Sequence, residues 1–118
     1  MAASTITTSN VTPHGWVTNA YNADWSGCEI AKALVAGKSH YIESITINCA
    51  SAITVTVGAG ETASAVTTTI LGPIVFTANG NQFTHTFTRP VKVASATDIT
   101  ADAFGAGATC IIISGFTQ

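Results

Sequence analysis

The stretch Ala108–Phe116, ATCIIISGF, is almost wholly apolar and ends two residues before the chain does. As an extended strand it turns Cys110 and Ile112 to one side and Ile111 and Ile113 to the other. Both sides are hydrophobic, so both need cover. A sandwich of two sheets covers one face of such a strand. The other face then calls for a loop, an arm or another subunit.

Working outward, the same period of two recurs. In YIESITINC, Tyr41, Ile45, Ile47 and Cys49 share a face, and Ser44, Thr46 and Asn48 lie opposite. In ITVTVG, Ile53, Val55 and Val57 alternate with Thr54 and Thr56. In QFTHTFT, Phe83, His85 and Phe87 alternate with threonines. Stiff, β-branched Thr suits the outer face of a pleated sheet. Turn chemistry separates the runs at Ala36–Ser39, Gly58–Glu61, Ala78–Asn81 and Phe104–Gly107, with Asn79-Gly80 the strongest signal. Pro73 and Pro90 cannot donate to a ladder and belong at strand starts, edges or bulges. Short strands at this spacing predict an all-β fold, a single antiparallel β-sandwich of jelly-roll-like form.

The segment SGCEIAKALVAG is ambiguous. Ser26 and Glu29 have capping-box spacing, which would open a short helix. A strand with Ile30 and Leu34 inward, pairing as a hairpin with HYIESITIN, is preferred because it extends the meander. Residues 1–26 differ from the rest. Apolar residues are sparse there, and Trp16, Tyr21 and Trp25 stand among Asn, Thr and Gly. They read as an extended N-terminal arm or long loop with at most one short strand near Trp16, leaving residues 27–118 as the sandwich domain.

Composition narrows the function classes. Charged residues make up only 8% of the 118 and hydrophobic residues 47%, and the chain contains 20 Thr and 19 Ala. About 25% charged is usual. The net charge of −2 comes with no basic run, so phosphate neutralisation, and with it nucleic-acid binding, has little to work with. A weakly charged surface repels its own copies weakly and permits dense homotypic packing. No apolar run has membrane-spanning length. The N-terminus lacks the positive and apolar regions of a secretion signal. Three widely spaced cysteines, Cys28, Cys49 and Cys110, fit synthesis in a reducing cytosol, and all are expected to be free thiols.

Catalytic and metal patterns are weak. Gly-x-Ser-x-Gly and His-Glu-x-x-His are absent, and AGKS lacks the rest of a phosphate loop. His14, His40 and His85 are far apart in sequence, and metal sites usually show one close ligand pair. His85, between two phenylalanines, reads as a hydrogen-bonded structural histidine. Asp98 and Asp102 would lie about 13 Å apart on a strand, too far for one calcium ion. No catalytic residue, cofactor or metal is expected. Trp16, Tyr21 and Trp25 could stack on sugar rings, the reading of a carbohydrate-binding module or adhesin head. Large aromatics more often anchor protein contacts, so Trp16, Tyr21, Trp25, Ile111, Ile113 and Phe116 are the candidate interface residues.

From Ile30 onward, the order IAKALVAGKSHYIESITIN, SAITVTVG, ILGPIVFTANGNQF, FTRPVKV, ATDITADAFGAGA, IIISGF resembles small jelly-roll-like virion proteins of tailed bacteriophages. These are capsid decoration proteins and the heads of short virion fibres. The resemblance implies a homotrimer on the virion surface, made in the host cytoplasm and bound to the capsid protein of the same virus. It carries no catalytic residues over, and residues 1–26 fall outside it.

Overall fold

Nested antiparallel pairing sets the architecture. The computed structural model describes residues 5–10, 15–23, 27–62, 65–77, 81–105 and 107–118. Among these, nine strands form: β1 (Thr5–Asn10), β2 (Gly15–Asn22), β3 (Gly27–Lys32), β4 (His40–Cys49), β5 (Thr54–Thr62), β6 (Ala65–Val75), β7 (Asn81–Lys92), β8 (Ile99–Phe104) and β9 (Thr109–Thr117). They make a five-stranded sheet in the order β1-β2-β9-β4-β7 and a four-stranded sheet in the order β3-β8-β5-β6. The pairs β2–β9, β3–β8, β4–β7 and β5–β6 are all antiparallel and nest one inside the next. The chain from β2 on is thus one long hairpin of eight strands, rolled so that its pairs alternate between two sheets. That is a jelly-roll sandwich, and β1 widens one sheet by pairing with β2.

The alternation read from sequence builds most of the core, but Tyr41, expected on the face of Ile45 and Ile47, points outward and Ile42 inward, because a bulge between Ile42 and Ser44 shifts the register. Ile42, Ile45, Ile47, Ile111 and Ile113 from one sheet meet Val55, Val57, Ile99, Ala101 and Ala103 from the other, all fully buried. Cross-strand register sets the rows. Ile111 lies between Ala20 and Ile47, and Ile113 between Thr18 and Ile45. Pro73 and Pro90 sit where expected, on the edge strands β6 and β7, beside shifts in ladder register.

Four further expectations are corrected. Residues 15–22 are not part of an arm: β2 is an inner strand, hydrogen-bonded to β1 on one side and β9 on the other. Its inward residues Trp16, Thr18, Ala20 and Asn22 are buried. Small and polar residues hid it, because Thr18 and Ala20 fill space beside the isoleucines without reading as a hydrophobic stripe. Second, β3 is a strand, as preferred, but it pairs with β8 in the opposite sheet and not with β4. Jelly-roll winding sends successive strands to different sheets, and Ile30 and Leu34 consequently remain exposed. Third, Gly58–Glu61 is not a turn but the middle of β5. Gly58 is needed there because a side chain would collide with the Thr68 carbonyl and with Val66 on β6. Fourth, His85 is exposed rather than hydrogen-bonded inside. β7 is an edge strand, and the His85 ring rests edge-on against Phe87 with centroids 4.7 Å apart. The Asn79-Gly80 turn and His14 lie outside the described residues.

Ile111→Ala is expected to cost about 2–5 kcal/mol by opening a cavity between the sheets. Ile112→Ala, on the opposite face of the same strand, should cost clearly less. Urea denaturation of the two variants measures the difference.

Candidate functional site

The candidate interface residues separate into three environments. Ile111 and Ile113 are core residues, fully buried. Trp16 is also internal, 3% exposed, so it cannot meet a partner without unfolding. Tyr21 and Phe116 point outward on the five-stranded sheet, but six residues separate their levels, since Tyr21 is opposite Cys110 and Gly15 is opposite Phe116. At strand rise they are roughly 20 Å apart. Trp25 lies outside the described residues. The outward side chains of β9 are Cys110, Ile112, Ser114 and Phe116, which are partly buried and neither enclosed nor fully exposed. Of the three isoleucines of this strand, only Ile112 faces outward, while the expected interface residues Ile111 and Ile113 face the core.

Much of the outer face of the five-stranded sheet carries no charge, and its exposed charges, Glu43, Arg89 and Lys92, stand along β4 and β7. Strands β2 and β9, residues 44–49 of β4 and residues 82–86 of β7 contain no Asp, Glu, Lys or Arg. Its side chains pair across strands. Tyr41 and Phe116 stack with centroids 4.8 Å apart and planes 6° from parallel. Ser44 and Ser114 share a 2.6 Å hydrogen bond, and Thr46 and Thr84 one of 3.2 Å.

The four-stranded sheet has a different outer face. Phe104 ends β8 at 80% exposure and Val75 ends β6 at 66%. Register places both opposite Thr54, one on each side of β5. This is an apolar ridge at one end of the sheet. Reading FGAG as a turn obscured it. The alternation Ile99, Ala101, Ala103 inward already puts Phe104 outward, and that signal could have found it.

A buried polar chain ties the two ends of the polypeptide together. The Trp16 indole donates to the Thr117 hydroxyl at 2.9 Å. Thr117 lies 2.8 Å from His40 Nδ1, and His40 Nε2 lies 2.8 Å from the Ala33 carbonyl. A carbonyl only accepts, so Nε2 carries the hydrogen and Nδ1 accepts from Thr117. The Thr117 hydroxyl accepts from Trp16 and donates to His40, and the neutral imidazole fits both of its own bonds. The Trp16 ring meets His40 edge-on at 5.7 Å, and Lys32 Nζ lies 5.2 Å from the Trp16 ring centre. Burial lowers the His40 pKa and Lys32 lowers it further, against the Ala33 bond and Asp98, which raise it.

The thiols are unreactive by environment. Burial, then the charges of Glu61, Asp102 and Glu29, push Cys28 up to about 11. Burial raises Cys49 and Cys110 as well. Cys49 and Cys110 are not register partners and face opposite sides of the sheet, so they cannot bridge within one chain; all three cysteines are free. Among the described residues no group of three or more His, Cys, Asp or Glu could hold a metal ion. The fold and these surfaces define a jelly-roll β-sandwich protein with a sparsely charged sheet face and an apolar ridge. No protein-family model matches the chain, and no curated protein matches it.

Two measurements follow from this chemistry. An unfolded histidine, near 6.5, takes its proton before buried His40 does. Stability should therefore fall as pH drops from about 7.5 through 6.5 and below. The window closes at the carboxylate range, where Asp102, raised by burial, acts in the opposite sense. His40→Gln should be less stable at neutral pH and flatter in this window, read from urea midpoints at each pH. Alkylation of the native protein should label Cys110 slowly and leave Cys28 and Cys49 untouched. Unfolding should open all three, as intact mass reports.

Proposed function

We propose that the chain is a non-enzymatic structural protein of a virion, of the capsid-decoration type. It assembles as a symmetric homo-oligomer, a trimer by preference, on a shell built from the capsid protein of the same virus. The observation that carries this reading is the ridge of Phe104 and Val75, two large apolar side chains held on rigid strand ends at 80% and 66% exposure. Covering one such side chain contributes about 1.5–3 kcal/mol, and exposed aromatics on rigid supports act as contact hot spots. We assign the ridge to the contact between copies.

Other features support the reading. The jelly roll is an architecture of viral capsid domains, and also of lectins, so the fold leaves the choice to the surfaces. The β2–β9 part of the outer face of the five-stranded sheet, which carries no charged residue, opposes neither a second copy nor a shell with charge repulsion. The mechanism is mass action. A protein that binds only the assembled shell stabilises it by about 2.7 kcal/mol per site at a hundredfold excess over Kd.

Sedimentation equilibrium of the purified chain tests this. The wild type should be oligomeric at micromolar concentration. Phe104→Ser should raise the dissociation constant about thirtyfold, the equivalent of about 2 kcal/mol, and keep the wild-type thermal midpoint at a dilution where both proteins are monomeric. Trp16→Ala should instead unfold the subunit, losing about 3–5 kcal/mol. A wild type that stays monomeric would contradict the reading.

A further inference from the structure

A depression of about 280 Å³ opens at one end of the five-stranded sheet, on its outer side, lined by residues that include Tyr21, Asn48, Thr109 and Cys110. Register builds it. Tyr21 on β2, Cys110 on β9 and Asn48 on β4 form one row across three neighbouring strands. Adjacent strands lie about 4.8 Å apart, so the backbones of Tyr21 and Asn48 stand roughly 10 Å apart with Cys110 between them. Tyr21 is 47% exposed. Neither the Tyr21 hydroxyl nor the Asn48 amide has a hydrogen-bond partner among the described residues. The lining is mostly apolar and contains no charged side chain.

From this geometry we infer that the depression is a binding site for a single neutral pyranose ring. Three properties select that class. The volume, about 280 Å³, falls just under the range of drug-sized ligand pockets, about 300 to 1,000 Å³, and suits a single small ring. The absence of charge in the lining disfavours phosphates, carboxylates and amines, which would lose their water without a counter-ion. What remains is an aromatic face opposite an amide that both donates and accepts. A pyranose presents the complement: a C–H face that packs on an aromatic ring, and an edge of hydroxyls that also donate and accept. A wholly apolar ligand would leave the Asn48 amide unpaired and desolvated, a cost of about 1–3 kcal/mol. The site is distinct from the Phe104–Val75 ridge, which lies on the other sheet, so it does not rest on the assembly reading.

The test uses the purified full chain and four probes: the methyl glycosides of glucose, galactose, mannose and N-acetylglucosamine. Saturation-transfer NMR at about ten millimolar detects binding down to millimolar Kd. At least one probe should receive saturation at its ring protons. In titrations, Tyr21→Ala and Asn48→Ala should each weaken that probe tenfold or more, while Tyr21→Phe stays within about threefold because the stacking face is kept. Thermal midpoints, and the oligomeric state in the same samples, should match the wild type. Two results would overturn the inference: no transfer to any of the four probes, or binding that survives both Tyr21→Ala and Asn48→Ala.

Discussion

Strand β9 is hydrogen-bonded along its length on both sides, to β2 and to β4. Everything else in the sandwich is arranged around that double pairing. Its inward isoleucines, Ile111 and Ile113, continue the rows begun by Ile47 and Ile45 and are fully buried. Its end is tied back by the bond from Trp16 to Thr117, across 101 positions of sequence. Closing so long a loop costs little more than closing a short one, because loop entropy grows only with the logarithm of length. The kinetic consequence is larger. The pairs that complete the roll are its most distant ones, and non-local pairing slows folding.

The His40 chain shows how the same strand is fixed at its end. Backbone bonds between Ser39 and Gln118, each 3.0 Å, join the start of β4 to the C-terminus. Beside them, His40 links Thr117 to the carbonyl of Ala33. A buried polar group left unpaired would cost about 1–3 kcal/mol, so this chain specifies one register. A slip of one residue would turn Ile111 and Ile113 to solvent and break every bond in the chain.

Alternation made much of the fold legible in the sequence. Ile45, Ile47, Val55 and Val57 face inward as their period of two requires, and their threonine neighbours face out. Strand partners were less legible, because pairing in a rolled hairpin is decided by winding, which leaves no local mark. The local pattern therefore points β3 to β4, although its partner is β8. Strand β2 escaped because its inward positions are Trp16, Thr18, Ala20 and Asn22, of which only one is a large apolar residue. The surfaces followed the same logic. Aromatic content drew attention to Trp16, which burial removes from the surface, while Phe104 was hidden by the glycine after it. Tyr21 was singled out on the sequence, but its pairing with Cys110 and Asn48 needed the sheet order.

Amide hydrogen exchange of the native chain tests the central claim, that β9 is the strand on which the sandwich closes. The amides of residues 111–114 in β9 and of 45–47 in β4 should exchange together and most slowly, at the free energy of global unfolding. Those of the edge strands β1 and β7 should exchange through smaller openings. Exchange of residues 111–114 well below the global free energy, with the edges better protected, would contradict the account.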